Sequence, residues 1–152
     1  MNVIPFIRSI SMLLFMGILI CPHNSFASAS TIKIEVVIVK ATRNTTTVDP
    51  GLEYLVKEVS PLLNFSGFSL LKRSETKLSE KAKEKITLPS NRILEITFLE
   101  FSDSQARVLV RILEKGKETF RTILLLVDKG RALIGGPPHD DGVLLLQIGA
   151  RF

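Results

Sequence analysis

Cysteine is all but absent from this 152-residue chain: Cys21 is the sole thiol, tryptophan is missing, Tyr54 is the only tyrosine, and His23 and His139 are the only histidines. One thiol excludes a disulfide scaffold and any multi-thiolate metal site. Seven prolines and nine glycines exclude collagen-like and proline-rich classes. What is present is ordinary for a globular domain: 45% of the residues are hydrophobic, 23% are charged, and the formal net charge is +5. The basic residues are scattered among acids along the chain, which reads as a solvated surface. Aromatics do not interleave with them: Phe65, Phe68, Phe98, Phe101 and Phe120 fall at core-phase positions, so no nucleic-acid stacking platform is expected.

Residues 1–29 read as a secretory signal peptide. Arg8 supplies a positive start, Met12 to Cys21 is an uncharged run, and Ala27-Ser28-Ala29 fits the small-x-small pattern of a cleavage site. Cleavage is expected after Ala29, with Ala27 as the second choice. The apolar run is too short to span a bilayer, which takes roughly 20 residues. Cys21 suggests a lipid anchor, but Leu19 and bulky Ile20 precede it, where lipidation needs small residues. The remaining segment, 30–152, is expected to form one domain, exported to a bacterial periplasm or held at the envelope. It contains no thiol, so its stability rests on its core.

Alternation dominates the remaining segment. Ile32, Ile34, Val36 and Ile38 alternate with Lys33, Glu35, Val37 and Val39, a strand whose far end is apolar on both faces. Asp49-Pro50 then signals a helix start, with Asp49 as N-cap and Pro50 in the first turn. Leu52, Leu55, Val56, Val59, Leu62 and Leu63 form one helical stripe, and Ser60-Pro61 should end or bend it. From Phe65 onward the pattern is β. Charged Ser74–Lys85 reads as two strands joined by a turn. Arg92–Phe101, Ala106–Ile112, Phe120–Val127 and Val143–Arg151 read as strands, with turns at 102–104 and 114–117 and a hairpin signal at Asp128-Lys129-Gly130-Arg131. The expected architecture is α+β, one amphipathic helix packed on a mainly antiparallel sheet, in the order β-α-β followed by hairpins. The apolar first and last strands belong near the sheet centre.

The chemical inventory is thin. A Ser-His-Asp triad would have to use His139, there is no Gly-x-Ser-x-Gly elbow, and no acid pair stands out, so a non-catalytic protein is expected. His139-Asp140-Asp141 is the one cluster with metal-ligand side chains, but neighbours in a turn do not all face one ion, and neither metal nor cofactor is expected. Gly135-Gly136 is followed by prolines and a strand, unlike a phosphate loop, which opens a helix. Together Gly135, Gly136, Pro137, Pro138, His139, Asp140 and Asp141 read as a stiff exposed loop, and such loops carry binding residues. Leu144, Leu146, Ile148, Ala150 and Phe152 alternate to a final Phe, as in the last strand of an outer-membrane barrel. The helix, an odd strand count and the charged 74–85 segment argue against a barrel.

Val48-Asp49-Pro50-Gly51-Leu52, Phe68-Ser69-Leu70-Leu71, Ile134-Gly135-Gly136-Pro137 and Gly142-Val143-Leu144-Leu145 resemble a group of uncharacterised exported bacterial proteins, which carries no active site over to this chain. Residues 122–136 also resemble the strand-turn-strand of secretin pore domains, as a shared hairpin pattern only. The expected function is a non-catalytic interaction module of the cell envelope, an accessory part of an envelope assembly. Its expected partner is another envelope protein, held by strand pairing at an open sheet edge or by loop contact, with no nucleic acid and no required membrane contact. The alternatives are a small-ligand binder or weak hydrolase using the 135–142 loop, and an outer-membrane protein.

Overall fold

The computed structural model describes residues 30–152. Their elements run β1 (Thr31–Thr42), α1 (Glu53–Val59), β2 (Gly67–Ser79), β3 (Lys83–Leu88), β4 (Arg92–Ser102), β5 (Gln105–Glu114), β6 (Lys117–Leu126), β7 (Arg131–His139) and β8 (Gly142–Arg151). The strands form two four-stranded sheets, β2-β1-β8-β7 and β3-β4-β5-β6, here called the outer-strand sheet and the meander. Every ladder is antiparallel. This overturns the α+β expectation. The described residues are β-rich, and the one helix among them has only seven residues.

The period-two alternation explains the stacking. Ile32, Ile34, Val36 and Ile38 of β1 meet Leu144, Leu146, Ile148 and Ala150 of β8 on one inner face. Leu94, Ile96 and Phe98 of β4 and Ala106, Val108, Val110 and Ile112 of β5 supply the other. All are buried in one cluster between the sheets, as two packed layers require. The final alternating set therefore points into the protein's own core, and each outer face is part charged and part apolar. In a barrel the corresponding set would face lipid. The described residues form eight strands, and the expectation of an odd count is corrected. Phe152 leaves the core and packs edge-on against Phe101, ring centres 4.7 Å apart.

The central placement of β1 and β8 agrees with their double-sided apolar pattern, since they pair with each other in the middle of their sheet. The meander is built from short hairpins. Asp103-Ser104 and Lys115-Gly116 both have positive φ at the two central positions, the geometry that matches strand twist. The charged 74–85 segment forms the end of β2, a turn, and the start of β3.

Two local expectations fail for identifiable reasons. Asp49 does not cap α1. Its Oδ2 accepts the Leu70 N–H at 2.8 Å, and its own N–H donates to Phe68 O at 2.9 Å. Leu52 occupies the cap position without a side-chain bond. The helix ends at Val59, before Pro61, and Leu62 and Leu63 of the expected stripe are exposed, Leu62 to 82%. Residues 127–130 do not close a hairpin either. β6 and β7 belong to different sheets, and this segment carries the chain across from one to the other. The strand-turn-strand likeness at 122–136 is therefore a pattern in sequence without a paired hairpin behind it.

Candidate functional site

Gly135 to His139 is not a loop: these residues are part of edge strand β7. The register against β8 shifts between Gly135 and Pro138, and the two prolines sit at that irregularity, where no ladder donor is lost. Gly136 lies so close to β8 that an added Cβ would stand 2.9 Å from Leu144 O. At Gly142 it would stand 2.2 Å from Ala41 O. Both glycines are therefore set by backbone contact. Only Asp140 and Asp141 form the turn.

That turn is tied to the end of β1. Asp141 Oδ1 pairs with Lys40 Nζ at 2.6 Å. Its Oδ2 accepts from Asn44 Nδ2 at 2.9 Å and from Thr42 Oγ1 at 3.2 Å. The ammonium of Lys40 and these donors hold the Asp141 carboxyl down at about 2. Asp140 lies 3.5 Å from the same ammonium and 3.4 Å from His139 Nε2. Both carboxylates thus serve to pin the β7–β8 turn. Among the described residues, no group of three or more His, Cys, Asp or Glu gathers to hold a metal ion.

β6 and β7 are joined by the crossover and lie in separate sheets, and a cleft of about 310 Å³ lies between β7 and the meander. Gly135, Gly136, Pro137 and Pro138 line one wall, Ile112 and Phe120 the other, and Arg92 and Glu114 one end. Arg92 donates from Nη1 to Pro138 O at 3.1 Å, with Glu114 3.5 Å from its Nε. His139, Asp140 and Asp141 do not line the cleft, so the expected loop is split between a cleft wall and a structural turn.

The sheets leave four edges, and three are guarded. β2 exposes Leu70 and Leu71 at one end, but Lys72, Arg73 and Lys77 carry charge along the rest. β3 carries Lys83, Glu84 and Lys85, and β7 carries its prolines. β6 is charged only in its first half. Beyond Arg121 it presents Ile123, exposed to 47%, and Leu125, exposed to 57%, and Val127 just past its end is exposed to 52%. Leu109 of β5 stands opposite Ile123 on the same outer face. Among the described residues β6 pairs with β5 alone, and no ladder among them runs along its other rim.

The other half of the meander's outer face is closed by charge. Glu95 on β4 stands opposite Lys85 on β3 and Arg111 on β5. It is only 3% exposed. Arg111 donates to its carboxylate, and Lys83 and Lys85 each lie 3.8 Å away. The Arg111 hydrogen bonds hold the Glu95 carboxyl below the ordinary range against the opposing effect of burial. Arg111 continues to Glu118 at 3.2 Å, and Glu118 to Arg121 at 2.8 Å. Sequence reasoning reads residues 92–101 as a strand but misses this ladder, because cross-strand partners depend on register.

A second missed feature is a groove of about 330 Å³ on the outer face of the β2-β1-β8-β7 sheet, lined by no residue of the helix. Gly149 of β8 forms its floor, with Glu35, Lys129, Arg131 and Gln147 around it. Tyr54 of α1 donates from its hydroxyl to Gln147 Oε1, and the Arg131 guanidinium stacks over the Tyr54 ring at 5.0 Å. The only sequence signal is a glycine that, with Gln147, interrupts the apolar run of the last strand. No known protein family, curated protein or solved structure matches the chain.

Proposed function

We propose that this chain is an exported, non-catalytic interaction module of the bacterial cell envelope that takes up an extended segment of a partner protein along β6. The observation that carries the reading is the coincidence, on one strand, of an unpaired rim with exposed Ile123, Leu125 and Val127. An incoming strand gains main-chain hydrogen bonds from the rim, and its alternate apolar side chains cover the residues that β6 leaves in water. The other three edges carry the charges and prolines that natural sheets use against such pairing. The export part rests on the three zones of residues 1–29.

The test is a photo-crosslinking amino acid at position 123 or 125 in intact cells, with position 77 on the β2 edge as reference. The expected result is one discrete adduct from either β6 position; the adduct from position 123 is lost when Leu125→Lys and Val127→Lys are combined, with the urea midpoint of the purified domain unchanged. Equal adduct from position 77, or adduct that survives the double change, overturns the reading. The small-ligand alternative rests on the cleft beside β7, and Arg92 and Phe120, rather than His139 and Asp140, are the residues to change there.

A further inference from the structure

We infer that the groove over Gly149 is a binding site for a phosphate ester of a small polyol, held by Lys129 and Arg131. The site is separate from the β6 rim, and its test does not depend on that reading.

The first observation is the glycine. Gly149 lies within β8, a central strand, where glycine weakens a sheet by adding backbone freedom and offering nothing to pack. Its φ is not in the left-handed region, since the positive-φ glycines are Gly51 and Gly116. No close approach demands it either. An added Cβ would meet Gly130 O at 3.6 Å, Arg131 Cβ at 3.9 Å and Glu35 Cβ at 4.0 Å, all ordinary contacts. This contrasts with Gly136 and Gly142, which backbone contact requires. The missing side chain leaves the floor of the groove open, and close approach of a ligand is a recognised reason for such a glycine.

The second observation is the state of the cations. Around the groove, Lys33 pairs with Glu75, and Arg73 and Arg151 share Glu35 at 3.8 and 4.0 Å. Lys129 and Arg131 make no ion pair among the described residues. Arg131 is nonetheless held in place, because its guanidinium lies over the Tyr54 ring and Tyr54 is itself tied to Gln147. A guanidinium oriented by a ring keeps its N–H donors for an oxyanion, which it matches in fork geometry, while Lys129 adds a point charge beside it.

The third observation is the rest of the lining. Glu35 presents carboxylate oxygens that accept from hydroxyl groups, and Gln147 is a fixed amide at the helix end. Anion donors at one side and a hydroxyl acceptor at the other suit a phosphate joined to a polyol better than a bare phosphate. The volume of about 330 Å³ lies at the small end of the range for ligand sites, roughly 300–1,000 Å³, and fits a single small headgroup.

Calorimetric titration of the purified domain with glycerol 1-phosphate tests the proposal, with glycerol and inorganic phosphate as reference probes. Saturable binding of glycerol 1-phosphate, tighter than inorganic phosphate and absent for glycerol, is expected. Arg131→Ala and Lys129→Ala should each weaken it about tenfold, the loss of one charge-assisted contact. Gly149→Val should abolish it by filling the floor. Gly149→Ala, whose methyl meets only ordinary contacts, should weaken it with the fold intact. Lys83→Ala, on the far sheet, should leave it unchanged. Absence of saturable binding overturns the proposal, as does binding indifferent to Arg131 or Gly149. Vesicles containing phosphatidylglycerol identify the source. Vesicle binding displaced by glycerol 1-phosphate assigns the site to a lipid headgroup, and binding of the free ester without vesicle binding assigns it to a soluble compound.

Discussion

The two sheets are finished differently on their outer faces. Each has an apolar half and a charged half. On the β2-β1-β8-β7 sheet the apolar half, Val37, Val39, Ala41, Phe68 and Leu145, is covered by Leu52, Leu55 and Val59 in and around the short helix, making a second buried cluster. On the meander no helix among the described residues lies over the corresponding apolar half, Leu109, Ile123 and Leu125, and Ile123 and Leu125 are exposed. Seven helical residues are thus enough to turn an outer sheet face into core. The difference also explains why the proposed partner surface lies on the meander: the other sheet has already used its apolar half internally.

Three substitutions probe the contrast, in order of expected size. Leu55→Ala removes a fully buried side chain from beneath the helix and should cost about 2–4 kcal/mol in urea denaturation. A cost near zero would mean that the helix is only an ornament on a sheet stable without it. Glu95→Gln removes the buried charge of the ladder and leaves Arg111, Lys83 and Lys85 facing one another. Their exposure to water softens the penalty to about 1–2 kcal/mol at neutral pH. Because the folded-state carboxyl of Glu95 is held below its usual value, its contribution is fully present above the unfolded value of 4.5. It is lost as pH falls through the folded value. The gap between wild type and Glu95→Gln should therefore close toward low pH in a stability-against-pH series. Leu125→Ala, on the uncovered half, should change stability by less than about 0.5 kcal/mol in the isolated domain. A cost comparable with Leu55→Ala would show that the meander's apolar half is already covered, and would remove the basis for a partner there.

Much of this fold is legible in the sequence, and the limits are physical. Period-two alternation marks β1, β4, β5 and β8 and assigns their inner faces correctly, because a strand buried on one side must alternate. The double-sided apolar run of β1 and β8 places them centrally. What alternation does not encode is which strand pairs with which. The crossover at 127–130 has the composition of a hairpin, yet it changes sheets, and this one difference turns an expected single sheet into two. Asp49-Pro50 has a helix-start composition, but Asp49 is engaged by Leu70, a tertiary partner that overrides the local preference. For the candidate sites, the sequence points to Gly135–Asp141, and the structure divides that stretch between cleft wall and turn. The β6 rim, the Glu95 ladder and the Gly149 groove all depend on neighbours across strands, which a single sequence does not display.

The pairing of β1 with β8 also fixes an order of events. Each meander strand finds its partner in the next stretch of chain, so that sheet forms through local hairpins as soon as its residues exist. β1 is different. Val36 must find Ile148 and Lys33 must find Arg151, so its central ladder waits on the last strand described, although β2 arrives early to take its other side. Closing so long a loop is slow because the chain entropy is lost before the ladder is gained. A chain emerging N-terminus first during synthesis therefore leaves one rim of the apolar β1 unpaired until β8 has followed, and the time between the two is the time in which an outside strand can take β8's place.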